Sequence, residues 1–238
     1  MSTLYVVATP IGNRGDITLR ALSILEQVHL VLAEDTRMTR KLFSLYPDRE
    51  FEAQVLRLDE HVVGIRLANI VDQIAQGADA ALVSDAGTPQ VSDPGYLFIR
   101  ECVKRGISIV PVPGPSAVTT LLSVADFPVQ PMLFYGFLPK KKGRETSLRR
   151  LLEMSGKYGV ASVVIYESPE RVVRTLVDLE NHFGPDAHLV VGRELTKQYE
   201  EVWYGTLAQA KQYFTAPRGE FSLILQLPEN KRAIEHNL

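Results

Sequence analysis

The chain has 238 residues, a formal net charge of −2, 45% hydrophobic and 23% charged residues, and one cysteine. These proportions are those of a globular protein, and the length accommodates one large domain or two of about 100–130 residues each. They exclude a disordered, collagenous or coiled-coil chain. The lone Cys102 excludes an internal disulfide or a thiolate zinc cage, and no apolar run approaches the ~20 residues of a membrane span.

Short β-rich apolar runs alternate with segments of helical period from end to end, the pattern of an α/β protein. The opening MSTLYVVATPIGN reads as a first strand at 4–8 rather than a signal peptide, so a cytoplasmic location without a membrane partner is expected. Asp16 is expected to cap a helix carrying Ala21, Leu22, Leu25 and Val28 on one face. A strand at 30–33, a helix at 36–46 and a strand with its turn at 51–58 follow. Val63, Leu67, Ile70, Val71 and Ile74 recur at helical spacing, before a buried strand at 80–83, a helix at 95–105, a strand at 107–112 and a helix running to about 125. Cys102 reads as a small apolar core residue beside Phe98 and Val103. The string DFPVQP at 126–131 carries two prolines and is the expected boundary between domains at 1–125 and 126–238. Beyond it, strands are predicted at 133–137, 161–166, 189–191, 200–204 and 221–227, and helices at 146–154, 169–182 and 206–214. The tail from Glu229 is polar and expected to fray.

Three strand-to-helix loops of the first half share an unusual composition: TPIGNRGD from Thr9, SDAGTPQVSDPG from Ser84 and PVPGPSA from Pro111. In open α/β sheets, ligands bind beyond the carboxyl ends of strands, where such loops gather. Glycine lets backbone approach a ligand closely and proline holds a loop in one shape. A turn-forming role explains any one of these loops. The second, at twelve residues, is longer than most connections of its kind, and the three together predict a ligand site. Gly12 and Gly15 give only GxxG, and neither GxGxxG nor GxxxxGK[ST] occurs, which excludes the usual dinucleotide and triphosphate cradles. The five histidines (His29, His61, His182, His188 and His236) lack ligand spacing, so no metal is expected, and no GxSxG elbow points to acyl chemistry. The residues alone reach a two-domain α/β protein that binds an uncharged or zwitterionic nucleoside-like ligand.

The strings LYVVATPIGNRGDITLRAL, AEDTRMTRKL, LVSDAGTPQVSDPG, VPVPGPSA, YESPERV and RELTKQYEEVWYGTL, in this order over about residues 4–227, resemble the ribosomal RNA methyltransferases of the tetrapyrrole methylase superfamily, the class III methyltransferases. The resemblance implies that superfamily's two-domain fold, each domain a mixed sheet flanked by helices, and a homodimer with S-adenosylmethionine in a cleft between the domains. It implies a decoding-centre cytidine of 16S rRNA in the small ribosomal subunit as substrate, methylated on its ribose 2′-oxygen, with RNA rather than DNA as partner. By motif it places Ile11, Asp85, Thr88, Ser116, Ala117, Tyr166 and Leu195 at the cofactor. The chain departs from the common pattern at Arg14, Met38 and Glu170, where Leu, His and His are usual, and lacks a helical tail that relatives often carry.

For the transfer itself, Asp35 and Arg37 after the second strand, and Glu194 and Lys197 of the RELTK string, are the catalytic candidates. A carboxylate or a desolvated lysine serves as base and Arg37 serves to hold a phosphate. Asp35 equally suits a helix cap, and Glu194 an ion pair with Arg193 or Arg37. Because the net charge is small, attraction for RNA has to be local. Lys140, Lys141, Lys142, Arg144, Arg149 and Arg150 stand against Glu145 alone and form the candidate patch, with Lys140, Lys141, Lys142, Arg144 and Arg37 as phosphate contacts. Tyr135, Phe137 and Tyr166 are aromatic enough to stack on a base, though a core role suits them too. A corrin-type small-molecule methylase and a non-catalytic RNA-binding relative are the alternatives; the AEDTR and RELTK strings and the basic run favour RNA.

Overall fold

A computed structural model describes residues 2–59 and 61–228; the expected fraying from Glu229 and His236 both lie outside them. The chain divides into two compact units, Met1–Ser116 and Ala117–Leu238. The division precedes the proline-marked segment because the helix Ala117–Leu122 packs on strands of the second sheet.

In the first unit the elements are β1 (Thr3–Val7), α1 (Leu19–Gln27), β2 (Leu30–Ala33), α2 (Thr36–Ser44), β3 (Gln54–Arg57), α3 (Gly64–Ala75), β4 (Ala80–Val83), α4 (Tyr96–Lys104) and β5 (Ser108–Val112). The sheet runs in the order β3-β2-β4-β1-β5 with parallel ladders throughout. Side chains alternate between its faces, and both faces are buried, as parallel sheets require. Val7, Val31, Ala81 and Val83 meet Ala21 and Leu25 of α1 on one face. Leu4, Leu30, Leu32 and Leu82 meet α3 and α4 on the other, where Phe98 and Cys102 are buried. Burial pushes the Cys102 thiol up to about 12. The cap of α1 is Thr18, whose hydroxyl accepts from Ala21 N at 3.0 Å. The expected cap, Asp16, closes a 3-10 turn at Arg14–Asp16, which the Asn13 side chain opens by accepting from Gly15 N at 2.9 Å.

Neighbouring strands β1 and β4 are the point where this topology reverses. The chain leaves β1 through α1 on one face to reach β2, and leaves β4 through α4 on the opposite face to reach β5. Their loops part there, and that is where open α/β sheets bind ligands.

The second unit contains α5 (Ala117–Leu122), β6 (Met132–Phe137), α6 (Arg144–Tyr158), β7 (Ser162–Glu167), α7 (Pro169–Phe183), β8 (His188–Arg193), β9 (Glu201–Thr206), α8 (Leu207–Tyr213) and β10 (Phe221–Gln226). Its sheet has the order β6-β7-β10-β8-β9, parallel between β6 and β7 and antiparallel elsewhere. One face packs Val163, Ile165, Val191, Leu223 and Leu225 against α6, α7 and α8. On the other, α5 lies against β8 and β10, and Tyr204 donates its hydroxyl to Val124 O at 2.8 Å. Trp203 is packed against the first of these faces, beside Tyr213 and Phe214. Among the described residues, no helix is long and apolar enough to cross a membrane.

Candidate functional site

The loops after β1, β4 and β5 interlock through backbone. Thr9 and Gly87 exchange two hydrogen bonds, Thr9 N to Gly87 O at 2.9 Å and Gly87 N to Thr9 O at 3.0 Å. The buried Thr9 hydroxyl donates to Ser84 O at 3.2 Å. Gly87 has φ +80°, and a side chain there would meet Ile11 Cγ2 at 3.3 Å. Thr88 donates its hydroxyl to Pro115 O at 3.1 Å. Gly114 rests on Ala8, so closely that a Cβ would lie 3.0 Å from the Ala8 methyl. Ile11, Thr88 and the Pro115 carbonyl are thereby gathered around one glycine.

A fourth loop joins them. Asp35 N donates to Asp85 Oδ1 at 3.1 Å, linking the end of β2 to the long loop after β4. Burial raises Asp85 above the ordinary carboxylate value, yet its second oxygen is left to accept from a hydroxyl or an ammonium group. The Asp35 carboxylate caps α2 by accepting from Arg37 N at 2.9 Å, and it takes the Arg37 guanidinium at 2.6 Å. That hydrogen-bonded guanidinium holds Asp35 well below the usual carboxylate range. Arg37 remains exposed while paired.

The loop after β4 also holds two residues singled out by no motif-level reasoning. Gln90 and Ser92 adopt φ of 69° and 71°, conformations that cost non-glycine residues about 1–3 kcal/mol each and persist only where surroundings enforce them. Between Ser92 and Gly95 stands Asp93, pushed up to about 6 by burial first and then by the charge of Glu34. The sequence signal was the SDPG string itself, which reads as turn chemistry until its neighbours across the sheet are known.

In the second unit, Tyr166 of β7 packs edge-on to Phe134 and Phe137 at ring separations of 5.2 and 5.7 Å. Leu195 is 6% exposed and lies over Gly192, where an added Cβ would come 3.0 Å from its methyl groups. Ala117 opens α5 half-buried. The RELTK loop is locked on itself. Glu194 Oε1 accepts from Lys197 Nζ at 2.9 Å and from Glu220 N at 2.8 Å, and Lys197 also donates to Glu220 Oε2 at 2.9 Å. Glu194 and Thr196 adopt φ of 49° and 64°. Against burial, the Glu220 amide and Lys197 keep Glu194 below its ordinary value. Lys197 is likewise held above its own value, although burial works to lower it. A lysine so paired is an ammonium without a lone pair, so in the free chain it is no proton acceptor.

The basic run separates into two parts. Lys140, Lys141 and Lys142 are exposed. Arg144 is only 4% exposed and donates to Asp178 Oδ2 at 2.6 Å, Thr175 Oγ1 at 2.7 Å and Pro139 O at 3.2 Å. Its place among the phosphate contacts is therefore corrected: every arm of its guanidinium is spent inside the unit. Among the described residues, no group of His, Cys, Asp and Glu is arranged to hold a metal ion.

Residues 3–211 match the family described as Tetrapyrrole (Corrin/Porphyrin) Methylases. The chain is 45% identical over 240 residues to the "Ribosomal RNA small subunit methyltransferase I" of Leptospira biflexa, covering 98% of this chain and 94% of that protein. It is 40% identical over 227 residues to the protein of the same name from Thermotoga maritima, covering 94% and 98%. Among solved structures, the methyltransferase CobJ superposes with a TM-score of 0.69 at 16% identity over 95% of each chain. The uroporphyrin-III-C-methyltransferase of Thermus thermophilus does so with 0.63 at 16% identity, over 99% of this chain and 98% of that one. At these identities the two structures speak to the fold alone.

Proposed function

This chain belongs to the tetrapyrrole methylase family, and from that footing we propose that it transfers a methyl group from S-adenosylmethionine to RNA of the small ribosomal subunit, at the ribose 2′-oxygen of a decoding-centre cytidine. The observation that carries the reading is the interlock of three loops at the reversal point of the first sheet: the backbone exchange of Thr9 with Gly87, the Thr88 hydroxyl on Pro115 O, and Ile11 against Gly87. Such a surface, with Ile11 beside peptide groups, fits a nucleoside, and the exposed Asp85 carboxylate beside it fits the hydroxyl or ammonium of the methyl donor. Ile11, Asp85, Thr88 and Ser116 hold the donor, and Ala117, Tyr166 and Leu195 are assigned to it as well. Leu195, being buried, contributes through shape and backbone rather than by an exposed side chain.

The donor supplies an activated methyl group on a sulfonium, so the chain's work is mainly positioning, which contributes on the order of 7–11 kcal/mol in well-oriented reactions. Asp35 and Arg37 form one ion pair beside Asp85, and the depressed carboxylate serves to orient Arg37 toward an RNA phosphate rather than to take the ribose proton. Glu194 and Lys197 position the RELTK loop rather than take the proton. Lys140, Lys141 and Lys142 attract RNA phosphates. The enzyme acts in the cytoplasm as a homodimer and without a metal in this reading. The test is transfer of labelled methyl to small subunits from cells lacking the native activity, followed by mapping of the nucleotide. Label at one cytidine ribose is expected; label on no RNA refutes the assignment.

A further inference from the structure

Beyond the interlocked loops, the first unit contains a cavity of about 630 Å³ at the carboxyl ends of β2, β3 and β4, walled by Glu34, Arg57, His61, Asp93, Tyr96 and Phe98. That volume falls within the ~300–1,000 Å³ usual for small-molecule sites. Phe98 is buried and Tyr96 is 65% exposed, so the cavity has an apolar wall at depth and an aromatic ring at its surface. Two of its walls continue from the donor loops. Glu34 directly precedes Asp35, whose amide binds Asp85, and Asp93 stands on the same loop as Asp85 and Thr88. A nucleotide whose ribose reacts at those loops needs a place for its base, and this cavity adjoins them.

Two carboxylates stand in its polar lining. Glu34 and Asp93 are near enough to each other for their charges to interact, and ionised carboxylates only accept hydrogen bonds. Arg57, the cation in the wall, is engaged by Asp59 at 2.7 Å and mostly exposed. The pair of acceptors suits a ligand that presents a two-hydrogen amino group.

We propose that this cavity receives the base of the target nucleotide and reads it as cytosine, with Glu34 and Asp93 accepting from the exocyclic amino group and Tyr96 lying against the ring. The proposal rests on the methyltransferase reading above. It makes the carboxylates the specificity element, because uracil turns a carbonyl oxygen toward the same two acceptors, where acceptor meets acceptor and the contact is repulsive. Sites built on such hydrogen bonds reject the analogue that lacks the donor.

The experiment uses small subunits carrying cytidine or uridine at the mapped target, with the native chain, Glu34→Gln and Asp93→Asn. The native chain is expected to prefer cytidine by on the order of 100-fold in kcat/KM. Each variant offers an amide donor in place of a carboxylate and is expected to cut that preference at least tenfold, mainly through KM, while calorimetric affinity for S-adenosylmethionine stays unchanged. A preference that survives intact in active variants overturns the proposal. Should the native chain label neither subunit, the methyltransferase reading fails instead. The cavity is then judged by binding of cytidine 5′-monophosphate against uridine 5′-monophosphate. Selective binding of the former, lost in Glu34→Gln, upholds the cavity's role, and equal binding of the two overturns it.

Discussion

Gly87 sits where three loops converge, at a φ of +80° that side chains rarely adopt. Gly87→Ala adds a methyl 3.3 Å from Ile11 Cγ2 and strains the backbone by about 1–3 kcal/mol. S-adenosylmethionine affinity is expected to fall at least tenfold by calorimetry, with only a modest loss of thermal stability; an unchanged affinity would place the donor elsewhere. Asp35 separates two roles that share one carboxylate. Asp35→Asn keeps an oxygen to cap α2 but removes the charge that faces Arg37. It should raise KM for the small subunit by about tenfold and leave donor affinity near that of the native chain. An unaffected KM denies the pair a part in holding the substrate.

At the scale of elements, the first turn of α6 shows why a run of like charges is a poor unit of description. Four basic residues within five positions become three exposed lysines and one interior arginine, since Arg144 reaches Thr175, which in turn donates to the buried Glu167 at 2.6 Å. Arg144→Ala removes the buried cation shared by Asp178, Thr175 and the Pro139 carbonyl and is expected to destabilise the chain by about 3–5 kcal/mol in chemical unfolding. Replacing Lys140, Lys141 and Lys142 together with Ala should barely change stability. RNA affinity should weaken, and its logarithmic salt slope should fall by about two to three. Equal salt slopes in the two proteins would deny the lysines any phosphate contact. Most strands and helices were legible because apolar periodicity is local: 30–33 and 80–83 coincide with β2 and β4. The glycine loops were legible for the same reason. The fate of Arg144, the mutual locking of Glu194 and Lys197, and the meeting of Glu34 with Asp93 depend on residues far apart in the chain, which periodicity does not carry. Gly219 is a case in point: any side chain there would overlap Glu194, a constraint invisible without the pairing of β8 with β10.

For the molecule as a whole, titration of the first unit's carboxylates sets the pH response. Asp93 moves from 3.8 unfolded to about 6 folded, so between those values the native chain keeps a proton that the unfolded chain has released. Stability should decline as pH rises across that window. Asp85 is shifted in the same direction, while the depressed Asp35 contributes stability that is lost only as pH falls through the acid range. Urea midpoints measured from pH 4 to 8 should show the decline, flattened in Asp93→Asn; an identical slope in the variant would assign it to other groups. Each unit also holds a residue type that occurs once in the chain, Cys102 in the first and Trp203 in the second. The thiol is wholly enclosed and its ionisation suppressed, so a thiol reagent gains access only when α4 comes away from its sheet. Indole fluorescence follows loss of the packing around Tyr213 and Phe214. Without any engineered label, the two signals taken during one denaturation distinguish a single cooperative transition, in which they coincide, from a stepwise one, in which one half of the protein melts while the other persists.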